Sequence, residues 1–397
     1  MTTLWDTTGS AVVKALAAER RAAGALAFGL ALTLVVVVDE QHVSQAESAA
    51  TAAAAAHPCR LLIVVRRQID SPHPRLDAEV SIGGRLGPGE AVVMRMSGRL
   101  ALHAESVVLP LLAPDAPVVT WWYDAPPEKI AYDPLGVFAD RRVTGTYAAT
   151  DPVAALRQRA EDFVPGDTDL AWTRISGWRT LLAAAFDQVQ ASDAAGPATI
   201  VSEPGNPSAC LFAGWLQARL QVPVTITDAP GRKGIQGVRL AVGDGELELA
   251  RTDSRSAGIT RTGFPTRVLP LPERGLGDLL AEELRRLDDD VVYAEALSAW
   301  SQIPDLSRRP LHREHIWRDP ALEHTAATSP AGAAGATTGA SGRPGAAQRS
   351  RAAEHPAATE RSGTAGRAGA ADKGKATEHA EAAEPAGATP TAPPAAP

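Results

Sequence analysis

The sequence has little cysteine and no excess of positive charge. Only two cysteines occur among 397 residues, Cys59 and Cys210, and their separation suits neither a disulfide framework nor a zinc-binding C-x-x-C pair. The formal net charge of -7 argues against nucleic acid or an anionic membrane as the main partner, because each of them binds a basic face. We therefore expect a cytoplasmic protein with reduced thiols that binds neither nucleic acid nor a membrane.

Motifs that hold phosphates, metals or nucleophiles are also missing. The sequence contains no G-x-x-x-x-G-K-[ST] and no G-x-S-x-G. Asp39 and Glu40 follow the first long apolar run, where a dinucleotide-binding fold would carry G-x-G-x-x-G, and their charge would repel a pyrophosphate. No histidine before residue 304 has a second histidine or cysteine four residues further on, the spacing of a helical metal site. We predict no cofactor and no bound metal.

One glycine-containing loop leaves two interpretations open. The loop GRKGIQG, residues 231–237, combines spaced glycines with Arg232 and Lys233. Backbone amides and cations of this kind hold anions in some proteins. A turn that leads into a strand explains the same residues equally well.

The composition changes sharply near the C-terminus. From about Thr325 to Pro397 the chain is almost entirely Ala, Gly, Pro, Ser and Thr with scattered charges, and it has no aromatic residue. Such a segment cannot bury enough apolar surface to offset its ordering entropy. We predict a linker and a disordered low-complexity tail over residues 304–397, which leaves roughly 300 residues, a length typical of two domains.

Residues 1–150 alternate between helical and strand patterns. A helix capped by Asp6 or Thr7 leads into an apolar run that ends at Val38, and its length and valine content favour a buried strand over a bilayer span. An alanine-rich helix and the run CRLLIVVRR complete a strand, helix, strand unit with a parallel crossover. Two alternating runs around GGRLGPG predict a hairpin, and PVVTWW predicts a further strand.

Residues 151–303 repeat a similar order. ATIVS, NPSACLFAGWLQARLQ and VPVTITD predict a strand, a helix and a strand, and four short runs after them predict an antiparallel meander. The leucines of GLGDLLAEELRRLDDD share one helical face, and we expect this helix to close the second domain. The sequence therefore predicts an α/β protein with two mixed-sheet domains. Their similar element order leaves an internal duplication open.

The segment PGDTDLAWTRISGWRTLLAAAFD, residues 165–187, concentrates charged and aromatic residues. Asp167 and Asp169 form a D-x-D, which in glycosyltransferases binds a metal and a nucleotide sugar, but here the motif precedes a helix. Carboxylates at a helix start accept free backbone N–H groups and stabilise the helix by about 1 kcal/mol. Capping is the simpler interpretation, and a sugar-phosphate or nucleotide-sugar enzyme or sensor that uses this pair is the alternative.

The helix that follows presents a core-facing stripe. Trp172, Ile175, Trp178, Leu182, Phe186 and Val189 share one arc, and Arg179 falls within it. An arginine in that position pairs with a carboxylate such as Asp167 or Asp169, extends to water, or meets a partner. Tryptophan and arginine are enriched at interface hot spots, so docking to another protein is the best functional interpretation.

Two further pairs leave similar alternatives. Trp121 and Trp122 point to opposite faces of a strand, so that both pack in the core or one of them covers a helix or a partner. Arg141 and Arg142 end a short helical pattern in DPLGVFADRRVTGTY. There they would bind a sugar phosphate or the acids of a partner, or they would lie in solvent at a helix terminus.

Several segments resemble a known family, the OpcA glucose-6-phosphate dehydrogenase assembly proteins of bacteria. The similarity covers residues 1–300 in order and rests on LTLVVVVDE, HPCRLLIVV, VVLPLLAPDAPVVTWW, DPLGVFADRRVT, PGDTDLAWTRISGWRTLLAAAFDQ, NPSACLFAGWLQARL and AEELRRLDDDVVYAEAL. Asp167, Asp169, Trp172, Arg174, Trp178 and Arg179 belong to its most recognisable segment.

The resemblance implies a cytoplasmic accessory protein without catalysis of its own. It implies binding to glucose-6-phosphate dehydrogenase, promotion of its active oligomer or a rise in its activity, and support of NADPH production in the oxidative pentose phosphate pathway. A sugar-phosphate effector remains open as a second partner. No catalytic residue is carried over, so the named tryptophans, arginines and aspartates are docking or structural candidates.

Overall fold

The computed structural model describes residues 1–24, 30–83, 89–186 and 195–311. Within them the strands form two mixed sheets. The first has eight strands in the order β1-β4-β5-β3-β2-β6-β7-β8, and the second has six in the order β10-β9-β11-β12-β13-β14. The strands are β1 Thr2–Leu4, β2 Leu32–Asp39, β3 Cys59–Arg66, β4 Arg75–Ile82, β5 Glu90–Ser97, β6 Val118–Trp122, β7 Arg141–Thr144, β8 Asp167–Asp169, β9 Ala195–Ser202, β10 Val224–Asp228, β11 Ile235–Val242, β12 Gly245–Arg251, β13 Ser256–Arg261 and β14 Arg267–Pro270.

The helices connect these strands and cover the sheets. They are α1 Gly9–Ala23, α2 Val43–Ala56, α3 Arg99–Leu102, α4 Glu105–Val108, α5 Pro152–Glu161, α6 Leu170–Arg174, α7 Ser176–Phe186, α8 Pro207–Leu220, α9 Leu276–Arg285 and α10 Val291–Ser301. Short 3₁₀ turns occur at Glu40–His42, Leu109–Leu111, Ile130–Tyr132, Thr146–Ala148 and Leu306–Arg308.

The first sheet is parallel through its centre. β2 pairs in parallel with β3 on one side and with β6 on the other, and β5, β7 and β8 extend the parallel set outward. The hairpin of β4 and β5 is antiparallel, as predicted. The valines of β2 are buried because helices cover both faces, which confirms the strand interpretation of that run. Among the described helices none is both long and apolar enough to span a membrane.

Helices form a layer on each face of the first sheet. On one face α2 and α9 cover the alternate residues Leu34, Val36 and Val38 of β2. On the other face α1, α3 and α4 cover Val35 and Val37. The alternation of side chains along a strand sends successive valines into these two separate cores.

The second sheet combines one parallel pair with a meander. β9 and β10 are parallel and α8 connects them, as predicted, while β11 to β14 follow as antiparallel neighbours. A third core lies between this sheet and the helices α7, α8 and α10. The strand number and order differ from those of the first sheet, and an internal duplication is not shown.

The chain contributes elements from beyond residue 150 to the first sheet. β8 pairs with β7 at the edge of that sheet, and α9 packs on α2 rather than closing the second sheet. Leu279, Leu280 and Leu284 of α9 belong to the core of the first sheet. The boundary between residues 150 and 151 stays a prediction, as does the boundary after residue 303. The low-complexity tail from residue 312 onward lies outside the described residues.

The start of α1 differs from the prediction, and two short helices follow β5. The N-cap of α1 is Thr8, whose Oγ1 accepts a hydrogen bond from the Ala11 amide at 3.3 Å, because Asp6 has a left-handed φ of 46° and the Thr7 amide bonds to the Leu76 carbonyl. The segment after residue 98 forms two short helices, α3 and α4, because the backbone of His103 between them is not helical.

Candidate functional site

A cavity of about 870 Å³ opens at the carboxyl ends of the parallel strands β2, β6 and β7. His42 after β2, Tyr123 and Asp124 after β6, and Thr146 after β7 line it. The chain passes from β2 to β3 on one side and later to β6 on the other, so the strand order reverses at β2. Open α/β sheets bind ligands at such a reversal. We call this space the switch-point cavity.

The turn after β2 is acidic where a dinucleotide-binding fold carries glycines. Asp124 Oδ2 accepts a hydrogen bond from the Asp39 amide at 2.7 Å, and its Oδ1 lies 2.5 Å from His42 Nδ1. Glu40 accepts two hydrogen bonds from Arg67, which hold the pKa of its carboxyl below the usual value. The negative charge of this turn opposes a bound pyrophosphate.

Arg141 and Arg142 do not lie at a helix end, and this prediction was wrong. They begin β7, and both are 2% exposed. Arg141 donates to Glu283 Oε2 at 2.6 and 3.0 Å, and Arg142 donates to Asp167 Oδ1 and to the carbonyl of Pro165. The two guanidinium groups therefore neutralise buried carboxylates of the same chain, because an unpaired buried charge would be strongly destabilising.

The two aspartates of the D-x-D form β8 itself. Asp169 caps α6 by accepting the Ala171 amide at 2.8 Å, which confirms the capping interpretation for that residue. Its Oδ2 also accepts from the Thr144 hydroxyl at 2.6 Å and from the Thr146 amide at 3.0 Å. Asp167 instead pairs with Arg142 and accepts the Val164 amide at 2.8 Å. Both carboxylates are engaged in bracing the end of the first sheet.

No metal centre emerges from the described part of the chain. Its histidine, cysteine, aspartate and glutamate side chains form no group of three or more that could hold an ion. Asp167 and Asp169 are separated by one residue on β8 and share one face of the strand, but their oxygens bond to different partners. The structure therefore does not bring the pair together as two ligands of one ion.

The predicted stripe spans two helices separated at Ile175. Trp172 on α6 and Trp178 on α7 are 1% and 4% exposed. The indole of Trp172 donates to Asp290 Oδ2 at 2.8 Å and packs against Tyr293 with ring centroids 5.8 Å apart. Trp178 packs against Phe212 of α8. Both tryptophans belong to the core of the second sheet, and Val189 lies outside the described residues.

Arg179 makes a different contact from the predicted ion pair. Its guanidinium lies 3.5 Å from the ring centroid of Trp172 and donates to Ser176 Oγ at 3.2 Å. It forms no ion pair with Asp167 or Asp169. Burial lowers the pKa of Arg179 to about 10, and the negative charges of Asp290, Glu282 and Glu283 partly oppose that shift. A ring face thus replaces a carboxylate as the partner of this cation.

Trp121 and Trp122 both lie in cores, each 1% exposed. Trp121 packs with α2 and α9, and Trp122 packs on the opposite face of β6, as the alternation predicts. Neither ring reaches the surface, so their burial supports a role in core packing for both.

Arg174 and Arg179 both have a buried Nε without a hydrogen-bond partner in the described part of the chain, but Arg179 also donates to Ser176 Oγ. The guanidinium of Arg174 lies 4.9 Å from the ring centroid of Tyr147. The Tyr147 hydroxyl donates to Glu203 Oε1 at 2.6 Å, and burial together with that carboxylate raises the pKa of Tyr147 to about 12. Tyr147 and Arg174 line the switch-point cavity together.

The same two residues also line a second, smaller cavity of about 290 Å³. It lies between α6, α7, the start of α8 and the turn before β11. Its lining adds the cations Lys233, Arg251 and Arg274 to Arg174, against the single carboxylate Glu273. We call this space the basic cavity.

Sequence reasoning missed several residues of this region. Glu283 lies on the leucine face of α9, seven residues after Leu276 and three after Leu280, and it also accepts a hydrogen bond from Thr173. A carboxylate within an apolar stripe is a signal for a buried cation. Tyr147 and Asp124 carry no comparable signal, because their partners come from distant parts of the chain.

These features define an α/β protein whose first sheet has the strand order of a dinucleotide-binding fold but whose first turn is acidic. Two family models match the chain in order. One, described as the glucose-6-phosphate dehydrogenase subunit N-terminal domain, matches residues 50–161. The other, described as the C-terminal domain of the same subunit, matches residues 165–297. The chain belongs to this family, the OpcA family, which confirms the resemblance seen in the sequence.

Two curated relatives carry the same family name. The OxPP cycle protein OpcA of Synechococcus elongatus is 28% identical over 211 residues, which cover 51% of this chain and 44% of that protein. The OxPP cycle protein OpcA of Synechocystis sp. is 26% identical over 205 residues, which cover 49% of this chain and 40% of that protein. The chain therefore spans less than half the length of the curated relatives it matches.

Solved structures give only distant similarity. An oxidoreductase from Sinorhizobium meliloti is 10% identical with a TM-score of 0.37, covering 68% of this chain and 95% of that one. A levoglucosan dehydrogenase in complex with NADH is 9% identical with a TM-score of 0.39, covering 68% of this chain and 94% of that one. Similarity at this level supports no conclusion about the function of this chain.

Proposed function

We propose that this chain is a non-catalytic assembly factor of glucose-6-phosphate dehydrogenase that supports the oxidative pentose phosphate pathway. The observation that carries the proposal is the match of both domains of the dehydrogenase-subunit family, in order, over residues 50–161 and 165–297. The relatives named as OxPP cycle proteins point to the same pathway.

The physical role is that of an effector that binds one state of the enzyme more tightly than another. Such a protein shifts the dehydrogenase toward its active oligomer by the difference between the two binding free energies. It needs a stable surface and no reacting group. The side-chain bonds of Arg141 to Glu283, of Arg142 to Asp167 and of Thr144 to Asp169 suit that role, because they stabilise the fold.

Burial narrows the docking candidates. Four of the candidates are buried and stabilise the core instead of contacting a partner: Trp121, Trp122, Trp172 and Trp178. Arg174 and Arg179 are half-buried. A docking role for these two arginines stays a prediction.

The test is an activity and sedimentation assay with purified dehydrogenase from the same source. We expect the chain to raise the initial rate and to shift the enzyme to a faster-sedimenting species, while serum albumin at equal concentration does neither. The chain alone should form no NADPH from glucose 6-phosphate and NADP⁺. An unchanged rate and no complex at micromolar concentrations would contradict the proposal.

The alternative, a nucleotide-sugar enzyme that uses the D-x-D, has less support. Both carboxylates already accept hydrogen bonds within the fold, and both are 6% exposed or less. A thermal-shift titration with UDP-glucose and manganese separates the two functions, because a ligand at about 100 times its dissociation constant stabilises a protein by roughly 2.7 kcal/mol. Stabilisation lost in Asp169→Asn would favour the alternative.

A further inference from the structure

The guanidinium of Arg174 lacks the acceptor that its environment calls for. It is half-buried at the end of α6, and among the described residues it forms no ion pair and no hydrogen bond. The group that its guanidinium contacts there is the ring of Tyr147, with 4.9 Å to the ring centroid. A guanidinium presents five N–H donors, and leaving buried donors unsatisfied is destabilising unless another group accepts them.

Neighbouring arginines do have acceptors. Arg274 donates to Glu282 Oε2 at 2.5 Å and to the Asp278 carbonyl at 2.9 Å, and Arg251 donates to the Leu271 carbonyl at 2.9 Å. Arg141 and Arg142 are paired with carboxylates. The fold thus supplies acceptors for arginines in this region but leaves Arg174 without one.

A second cation of the basic cavity is also unpaired. Lys233 belongs to the loop of residues 231–237, and its ammonium has no carboxylate within ion-pair distance in the described part of the chain. The adjacent Gly234 has a φ of +70°, which lets the loop turn toward the cavity before β11 begins. Arg174 and Lys233 therefore approach one space from different elements, and each keeps its donors free.

The start of α8 adds a favourable field but no free amides. Asn206 and Ser208 line the basic cavity at the N-terminus of this 14-residue helix. The Asn206 side chain already accepts the amides of Ser208 and Ala209 at 2.8 and 3.2 Å. An anion in the cavity would gain from the positive end of the helix dipole, while its hydrogen bonds would come from the arginine and the lysine.

The volume of the basic cavity limits the size of the ligand. The basic cavity alone measures about 290 Å³, near the lower end for small-molecule sites, and it shares Tyr147 and Arg174 with the switch-point cavity. An anionic group beside Arg174 would lie next to residues that line both cavities. Gln158, which lines the switch-point cavity, supplies an amide group for hydroxyls of the ligand.

We propose that the basic cavity binds the phosphate of a small phosphate monoester of a polyol or sugar, with Arg174 and Lys233 as the groups that hold it. Arginine offers a planar fork that matches phosphate oxygens, and lysine acts as a point charge.

The test is calorimetric titration of the full chain with glucose 6-phosphate, inorganic phosphate, gluconate and glucose. We expect glucose 6-phosphate to bind most tightly, inorganic phosphate to bind more weakly, and neutral glucose not to bind. The affinity should fall as salt is added, because ions screen charged contacts at the surface. Binding is measured on the chain alone, so a failure of the dehydrogenase assay leaves this result unaffected.

Two variants and a matched control assign the site. Arg174→Gln and Lys233→Gln should each weaken glucose 6-phosphate binding roughly tenfold or more, since each removes charged hydrogen bonds. Arg232→Gln removes an exposed charge next to Lys233 and should leave the affinity unchanged. Lys233 is exposed, so its variant tests the site even if Arg174→Gln unfolds. No binding at millimolar concentrations, equal affinity in Lys233→Gln, or equal affinity for gluconate would overturn the assignment.

Discussion

At the residue scale, the conspicuous side chains of the 165–187 segment serve as internal partners. The indole N–H of Trp172 donates to Asp290, and Asp169 accepts a backbone amide at the start of α6. Arg142 forms an ion pair with Asp167. Each of these contacts removes an unsatisfied polar group from a buried environment. Within the described residues Arg174 and Arg179 each retain an unsatisfied Nε, and Arg174 is the one of the two that lines the basic cavity, so it is the residue of this segment to which we assign a ligand.

Trp178→Ala tests how much one of these rings contributes. The ring is 4% exposed and packs against Phe212 and under Arg251, so its removal leaves a cavity in the core of the second sheet. We expect the free energy of unfolding to fall by about 3 to 5 kcal/mol in urea denaturation. Trp5→Ala is the matched control, because Trp5 is 68% exposed and should change stability by about 0.5 kcal/mol or less. Equal effects of the two substitutions would show that Trp178 is not a core residue.

Asp162 gives a prediction for pH. Burial raises the pKa of its carboxyl to about 7, Arg159 opposes the shift, and Asp167 adds to it. Asp162 Oδ2 lies 3.2 Å from Arg159 Nη2 but accepts no hydrogen bond in the described structure, which explains why burial outweighs the ion pair. Between the unfolded pKa near 4 and about 7, the folded state therefore binds more protons than the unfolded state.

The expected consequence is a stability that falls as pH rises through this window. Relative to Asp162→Asn, the wild-type protein should lose at most about 1.4 kcal/mol of unfolding free energy per pH unit between pH 5 and 7. Above the folded pKa the difference between the two proteins should level off. Urea denaturation of both proteins at several pH values measures this difference, and other titrating groups cancel. A difference that does not change with pH would mean that Asp162 is ionised in the folded state.

At the scale of elements, glycines set how closely helices approach. Gly214 on α8 faces α10, where a Cβ would lie 2.0 Å from the Ala296 carbonyl oxygen and 2.9 Å from Trp300 Cβ. The backbones of the two helices are in contact at that point, and a side chain would require one of them to move.

Gly214→Ala should therefore destabilise the second sheet and its helices, although alanine is the better helix former. Overpacking typically costs about 1 to 3 kcal/mol, more than the roughly 1 kcal/mol that the propensity change returns. Gly9→Ala, whose Cβ would meet Val107 at an ordinary 3.6 Å, is the control and should be neutral or stabilising. Thermal unfolding compares the two variants, and a raised melting temperature in Gly214→Ala would rule out the close packing of α8 and α10.

At the scale of the whole molecule, distant segments hold the first sheet together. Arg141 reaches Glu283 across 142 residues of sequence, and α9 packs on α2. The first sheet thus depends on a helix that follows all strands of the second. We expect the two sheets to unfold cooperatively for this reason.

The two cysteines provide a test of that cooperativity. Cys59 lies in the core under α2 and α9, and Cys210 lies in the core of the second sheet. Burial raises the pKa of Cys59 to about 12 and that of Cys210 to about 11, so neither thiol ionises near neutral pH.

Both thiols should resist a disulfide-exchange reagent in the native protein and react together in urea. Their labelling rates should coincide, because each requires the same global opening. Spectrophotometric thiol counting against time measures this. Rapid labelling of one thiol alone would show that its sheet opens independently of the other, and Cys59→Ser and Cys210→Ser identify which one.

Much of the fold follows from local patterns. The valine run of β2, the hairpin of β4 and β5, the unit of β9, α8 and β10, and the meander after it lie where their periodicity predicts. The acidic turn after β2 is also visible in the sequence. Strands and helices of this kind are determined by side chains a few residues apart, which a single sequence displays directly.

The candidate site could be predicted only in part. Residues 141–144 resemble a helix end, but they form β7, where Glu283 and Asp167 supply partners for two buried arginines. The three residues of β8 are too few to show the alternating pattern of a strand. They form a strand because they pair with β7. Neither result follows from neighbours along the chain.

The sequence by itself determined which segments are apolar, that Asp169 caps a helix, and that the first turn carries carboxylates in place of glycines. Only the tertiary structure decided that α9 covers the first sheet, that the guanidinium of Arg179 packs on the ring of Trp172, and that Arg174 and Lys233 line the same cavity. The physical reason is range. Hydrophobic periodicity and capping act over a few residues, whereas the partner of a buried charge is fixed by packing between segments that the sequence keeps far apart.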